Sequence, residues 1–224
     1  MAVKLSKGEK ISLQKQNGVQ LTSFCVGCNW GAIPRETSSF FGLIKRQKME
    51  NVDLDLSCIM VNQAGAMVDH IYSPLYRGSF LARYSMPLGK LDSNDRAMHH
   101  SGDDLEGDKD GDDGLDNEII TVDLTCVSPA ITQIFFFLNN CGKEDFSQIP
   151  YASIRMYEGT PQKVKTLFAE YNVPAMPQYA GMTALVMGKL FREESGWQFA
   201  ALGDAYPDDN ICVTILRILR DYAK

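Results

Sequence analysis

The chain has no long hydrophobic run. Its longest apolar stretches, such as Ile134 to Leu138, fall far short of the roughly 20 residues a membrane-spanning helix needs. The opening MAVKLSKGEK has no apolar core of the kind that marks a secretory signal, so none is expected. Cysteine is sparse, with six irregularly spaced residues in 224. That excludes a disulfide framework and points to a reducing cytoplasm. The one Cys-x-x-Cys pair, Cys25 and Cys28, lies in the apolar run Leu21 to Trp30, which reads as a strand. It lacks the helix start that activates a redox thiol and the second pair that a zinc site wants, so both are read as structural thiols. A basic excess is also missing: 22 Lys and Arg stand against 28 Asp and Glu, a net charge of −6, which argues against a nucleic-acid binder. No repeat of about 20 to 50 residues recurs, which excludes a solenoid or propeller.

What is present suits one domain, or one domain with an added element. Short β-rich segments separated by turn signals dominate: Ile11 to Lys15, Val19 to Trp30, Val52 to Val61, Ala66 to Tyr72, Ile119 to Leu124, Ile131 to Leu138 and Ala152 to Tyr157. Thr183 to Phe191 and Trp197 to Leu202 read as a hairpin around Glu194, Ser195 and Gly196. Arg35 to Asn51 reads as an irregular loop or insertion whose Lys45, Arg46 and Lys48 form a solvated surface. Ser73 to Met98 reads as a long irregular excursion. Lys163 to Tyr171 is ambiguous, with Val164, Leu167, Phe168 and Tyr171 at helical spacing. Asn210 to Tyr222 predicts a helix with an apolar stripe, capped by Asp208 or Asp209. The pattern predicts a mainly β fold, a β-sandwich over 1–204, with a C-terminal helix over 205–224 packed on it or at an interface.

The charge is unevenly placed. Residues 103–118 (DDLEGDKDGDDGLDNE) hold nine acids and one lysine, a local charge of −8, leaving 21 basic and 19 acidic residues and +2 elsewhere. In Asp53-Leu54-Asp55-Leu56-Ser57, strand alternation turns the leucines to the core and puts Asp53 and Asp55 on one face. Two carboxylates that close repel, and a cation removes the repulsion. In the loop, Gly102, Gly107, Gly111 and Gly114 let the backbone turn carbonyl oxygens inward among the acids. Many oxygens in a short flexible loop suit calcium, which takes about six to eight ligands, better than magnesium, and leave room for more than one ion. The loop is not an EF-hand: counted from Asp108, the sixth position is Asp113 and the twelfth Ile119.

These pieces, taken in order, resemble the TerD-type tellurium-resistance and stress-response family of bacteria. They are Leu5-Ser-Lys-Gly8 with Ile11-Ser-Leu13, Val26-Gly27 to Trp30, Asp53 to Ser57, His100-Ser-Gly-Asp103-Asp104, Asp110-Gly-Asp112-Asp113, Glu118-Ile119, Val122-Asp-Leu124 and Gly196-Trp197 to Gly203. The resemblance implies a cytoplasmic β-sandwich whose acidic loops bind calcium, two ions here, with no clear enzymatic activity. It also implies a membrane-protein partner from the same resistance system. The implied metal ligands are Asp53, Asp55, Asp103, Asp104, Asp110, Asp112, Asp113 and Glu118, with Gly107 as a carbonyl candidate. The chain departs from the family's Gly-x-Gly-Trp-Asp at Gly27-Cys28-Asn29-Trp30-Gly31. Residues Gly114 to Asn117 stand as an insertion before Glu118 and add Asp116 as a candidate.

Two other functions are carried by the same residues. A metal-dependent phosphoester hydrolase would use the carboxylates with His99 or His100 as base, but only Lys109 is near to clamp a phosphate. A calcium-dependent membrane or protein docking module would want apolar loop tips, and the loop offers only Leu105 and Leu115.

Overall fold

Alternation along the strands decides which residues face each other. The computed structural model describes residues 3–4, 9–13, 18–39, 44–174, 176–194 and 196–224. The Leu5 to Gly8 motif, Gln14 and Lys15 of the first expected strand, and Ser195 of the expected hairpin turn lie outside them. In chain order the elements are β1 (Val3–Lys4), β2 (Lys10–Ser12), β3 (Ser23–Trp30), β4 (Ile33–Ser39), β5 (Ile44–Glu50), β6 (Leu54–Val61) and β7 (Met67–Ile71). Helix α1 (Gly78–Ala82) follows, then β8 (Met98–His100), β9 (Glu118–Asp123), β10 (Gln133–Asn140), β11 (Tyr151–Thr160) and β12 (Lys163–Pro174). The chain ends with β13 (Ala184–Glu193), β14 (Gly196–Tyr206) and α2 (Ile211–Asp221). None of the helices among the described residues is long and apolar enough to cross a membrane.

The fold is mainly β. One six-stranded sheet runs β1-β12-β11-β3-β9-β8, the other β2-β14-β13-β10-β6-β7, and β4-β5 forms a separate pair. Every second residue of β3 (Phe24, Val26, Cys28, Trp30), β6 (Leu54, Leu56, Cys58, Met60) and β10 (Ile134, Phe136, Leu138) joins one core cluster with Ala152, Ile154 and Met156 of β11. The intervening residues of β6 and β10, Ile59, Val61, Phe135 and Phe137, join a second cluster with Ile211, Cys212, Ile215 and Ile218 of α2. The central strand β10 is therefore apolar on both faces, as its unbroken hydrophobic run requires. The α2 stripe is spent on packing. Its cap is Asn210, whose side chain accepts from the Cys212 and Val213 amides, and not Asp208 or Asp209. Asp208 instead holds Arg217, 2.6 Å away.

One further expectation gives way. The described parts of 35–51 are not irregular: β4 and β5 pair as regular antiparallel strands from Ile33↔Glu50 to Ser39↔Ile44. Lys163 to Tyr171, ambiguous in the sequence, is a strand, since β12 pairs along its length with β11. Cys25 and Cys28 point to opposite sides of β3, one into a small outer cluster and one into the main core. Burial pushes both thiols up, and they cannot meet at one ion.

Candidate metal centre

The acidic residues collect at one end of the sheets, in two groups. The first is built on the start of β6. Among the described residues, the 54–57 half of β6 has β10 on one side and no strand on the other, because β7 pairs with Cys58 to Val61. Side chains fill the gap. Glu118 Oε2 accepts from the Leu56 amide at 2.7 Å, and His100 Nε2 lies 3.0 Å from the Leu56 carbonyl. Glu118 Oε1 accepts from the Asp104 amide at 3.0 Å, tying the acidic loop to the same point. The Gly102 amide donates to His100 Nδ1, so Nδ1 is the acceptor and Nε2 carries the proton. Burial alone would lower His100, but the Glu118 carboxylate 3.3 Å away outweighs it and holds the imidazole above its usual range.

Asp55, Asp103 and Glu118 each offer an oxygen within 4.8 Å of the others. Asp55 is only 5% exposed. Its carboxylate accepts from the Cys141 thiol at 3.0 Å, and Tyr76 also bonds it. Asp53 precedes the strand on the same side, and its Oδ1 is buried without a hydrogen-bond partner. Burial pushes Asp53 up to about 6, and Asp55, Asp103 and Asp104 push it the same way. Burial likewise pushes Asp55 up to about 6, against the Cys141 and Tyr76 hydrogen bonds and with help from Glu118 and Asp103. Converging carboxylates, one with an orphaned buried oxygen, are the arrangement a hard cation completes.

Two carboxyls that titrate higher folded than unfolded leave the native state holding more protons between about pH 4 and 6. Their contribution to stability is therefore lost as pH rises through that window and stays lost above it. Each pKa unit is about 1.4 kcal/mol, and because the pair shares one repulsion we expect on the order of 2–3 kcal/mol in total. Raised Glu118 acts in the same direction, while His70, lowered by burial, opposes it. Urea denaturation in chelator should show the protein more stable near pH 5 than near pH 7. The Asp53→Asn/Asp55→Asn double variant should flatten that slope, and a wild type as stable at pH 7 would contradict the repulsion.

The second group is Asp108, Asp112 and Asp113, again with oxygens mutually within 4.8 Å. Asp108 is stitched to the end of β3, its amide donating to the Trp30 carbonyl and its carbonyl accepting from Ala32. Its carboxylate accepts from Tyr151 at 2.8 Å and from Asn117 at 3.2 Å. Asn29 Nδ2 donates to Asp112 Oδ1 at 2.8 Å. Asn29 is 3% exposed and its Oδ1 has no partner. The amide faces the group and its two ends exchange by a half turn.

Of the other expected ligands, Asp104 organises the loop: Oδ1 accepts from Glu106 and Gly107, and Oδ2 from Asn117. Gly107 (φ +68°) sits against the Trp30 indole, where a Cβ would fall 2.6 Å from Cδ1. Its role is close packing with a left-handed backbone. Asp110 belongs to neither group. Asp116 is taken by Arg155 at 2.8 Å and presses on Gly27, where a Cβ would meet it at 2.1 Å. The sequence does not mark Asn29 and Tyr151, which reach the loop only through sheet pairing, or Asn117, which lies within the loop among the acids.

A mainly β chain whose acids gather at one end into two carboxylate groups defines a class, and the comparisons give it a family. The TerD domain profile matches residues 1–212, and the chain belongs to that family. It is 31% identical to the stress response protein SCP2 of Bacillus subtilis (strain 168), covering 94% of this chain and 96% of that protein. It is 26% identical to the tellurium resistance protein TerD of Serratia marcescens, covering 92% of each. The crystal structure of a homologue of telluride resistance protein (TerD) from Streptomyces coelicolor A3(2) superposes with a TM-score of 0.58 at 16% identity, over 91% of this chain and 98% of that one. The relatives' names describe resistance and stress, and none names a reaction.

Proposed function

We propose that the chain is a calcium-binding, non-enzymatic β-sandwich module of a bacterial tellurium-resistance or stress-response system. It would work in the cytoplasm beside a membrane-protein partner of the same system. The observation that carries this is the convergence of Asp55, Asp103 and Glu118 beside the orphaned oxygen of Asp53. In this reading Asp53, Asp55, Asp103 and Glu118 hold one ion. Asp108, Asp112 and Asp113 hold a second, with Asn29 turned to present its oxygen. Asp104, Gly107 and Asp110 shape the loop. The bound ions supply positive charge that cancels the repulsion inside each group. All-oxygen ligands without fixed octahedral spacing suit calcium.

The hydrolase reading has less support. Both His100 nitrogens are engaged, and His99 is exposed beside Asp92. The nearby cations Lys109 and Arg155 are each committed to an acid, Glu106 and Asp116. Titration calorimetry tests the proposal: two calcium ions per chain are expected, with Asp55→Asn removing one and Asp112→Asn the other. No heat with calcium up to the millimolar range would end it.

A further inference from the structure

The Ser73 to Met98 excursion carries a surface unlike the acidic end it adjoins. Leu75, Tyr76, Arg77, Ser79, Phe80 and Arg83 line an open groove of about 460 Å³ around α1. Arg77 and Arg83 are exposed, and neither has an ion-pair partner among the described residues. Leu88 and Leu75, at 68% and 64%, are the most exposed large apolar side chains described, and Leu88 lies against Gly78 of α1. Two exposed guanidinium groups without an acidic partner and two exposed leucines therefore share one face. Arginine forks match phosphate oxygens, and apolar tips flanked by basic residues suit an anionic bilayer surface.

The groove is wired to the first carboxylate group. Tyr76 lines it with its ring while its hydroxyl lies 3.0 Å from Cys141 Sγ, whose thiol donates to Asp55. Ser73 Oγ donates to Asp103. With the acids bare, a phosphate approaching Arg77 enters the field of a loop carrying −8. Two bound calcium ions would supply +4 and halve that opposition.

We propose that this face docks onto an anionic phospholipid surface, with Arg77 and Arg83 holding headgroup phosphates and Leu75 and Leu88 entering the interface. Docking requires an occupied Asp55 group and so rests on the calcium reading above. A free phosphate would leave the two leucines without a use, which is why a lipid is the favoured source.

Co-sedimentation of the full chain with vesicles tests it, using phosphatidylcholine alone or mixed with phosphatidylserine, in calcium or chelator. Sedimentation is expected only with phosphatidylserine and calcium. Arg77→Gln/Arg83→Gln should weaken it about 30-fold, taking roughly 1 kcal/mol per charge at the surface. Leu75→Ala/Leu88→Ala should also weaken it; all four residues are exposed, and calorimetric calcium binding should persist in both variants. Wild type that binds calcium but not vesicles overturns the proposal. So do variants that sediment like wild type, equal binding to neutral vesicles, full displacement by inorganic phosphate, or an acidic polypeptide that competes away all sedimentation. If calorimetry detects no calcium, the metal reading fails separately. The chelator arm then decides: arginine-dependent sedimentation there overturns the requirement for an occupied Asp55 group while keeping the docking face, and its absence removes the face as well.

Discussion

Saturating calcium is expected to raise the thermal midpoint by about 10–20 °C. A ligand that binds only the native state at a hundred times its dissociation constant adds about 2.7 kcal/mol per site. Two sites double that, and a domain of this length converts each kcal/mol into about 2–4 °C. The folded chain without cations holds Asp53 and Asp55 against burial and each other, and the unfolded chain does not, so the ion has a native state to prefer. Scanning calorimetry in chelator and in calcium measures the shift. Magnesium should give much less, because it keeps its waters and wants stricter geometry. Asp55→Asn should forfeit about half. A midpoint unmoved by calcium would leave the carboxylate groups as ordinary surface acidity.

The second large effect concerns Glu118, which is 0% exposed and serves three neighbours. Glu118→Ala leaves the Leu56 and Asp104 amides without their acceptor and removes the carboxylate beside His100 Nε2. Each buried donor left unsatisfied costs about 1–3 kcal/mol, so a loss of about 3–5 kcal/mol is expected from urea denaturation in chelator. Performing it without metal separates this bracing role from any ligand role. Glu118→Gln preserves shape but sets an amide donor against a backbone donor, so it should fall between the two. A Glu118→Ala protein within about 1 kcal/mol of wild type would show that water replaces the carboxylate.

What the sequence revealed followed from periodicity, and what it hid came from pairing. Leu54 and Leu56 fix the faces of β6 by simple alternation, so Asp53 and Asp55 could be placed together without coordinates. The stripe of Ile211, Ile215 and Ile218 marks α2 by the same logic at helical spacing. The period left β12 ambiguous, because the β11–β12 ladder slips between Met156 and Tyr157 and again between Glu158 and Gly159. Each irregularity advances the pattern by a residue, so apolar positions fall at intervals that imitate a helix. The β4–β5 hairpin is a separate two-stranded pair, and its polar, charged sequence carries little apolar alternation to read. Within the site, Asp55 and Asp103 were legible as acids in the right neighbourhoods. Asn29 and Tyr151 were not, because only the β3–β9 and β3–β11 registers bring them to the loop.

Along its 54–57 half, β6 is hydrogen-bonded to a neighbouring strand on one side. A strand edge with free amides and carbonyls is a template on which a second chain can add itself. Here the Leu56 groups that would start such growth are already occupied by Glu118 and His100. The two side chains act as a plug against polymerisation. A protein that has lost them while keeping its sheets should meet its own copies edge to edge, and its failure would be seen as aggregates rather than as unfolded monomer.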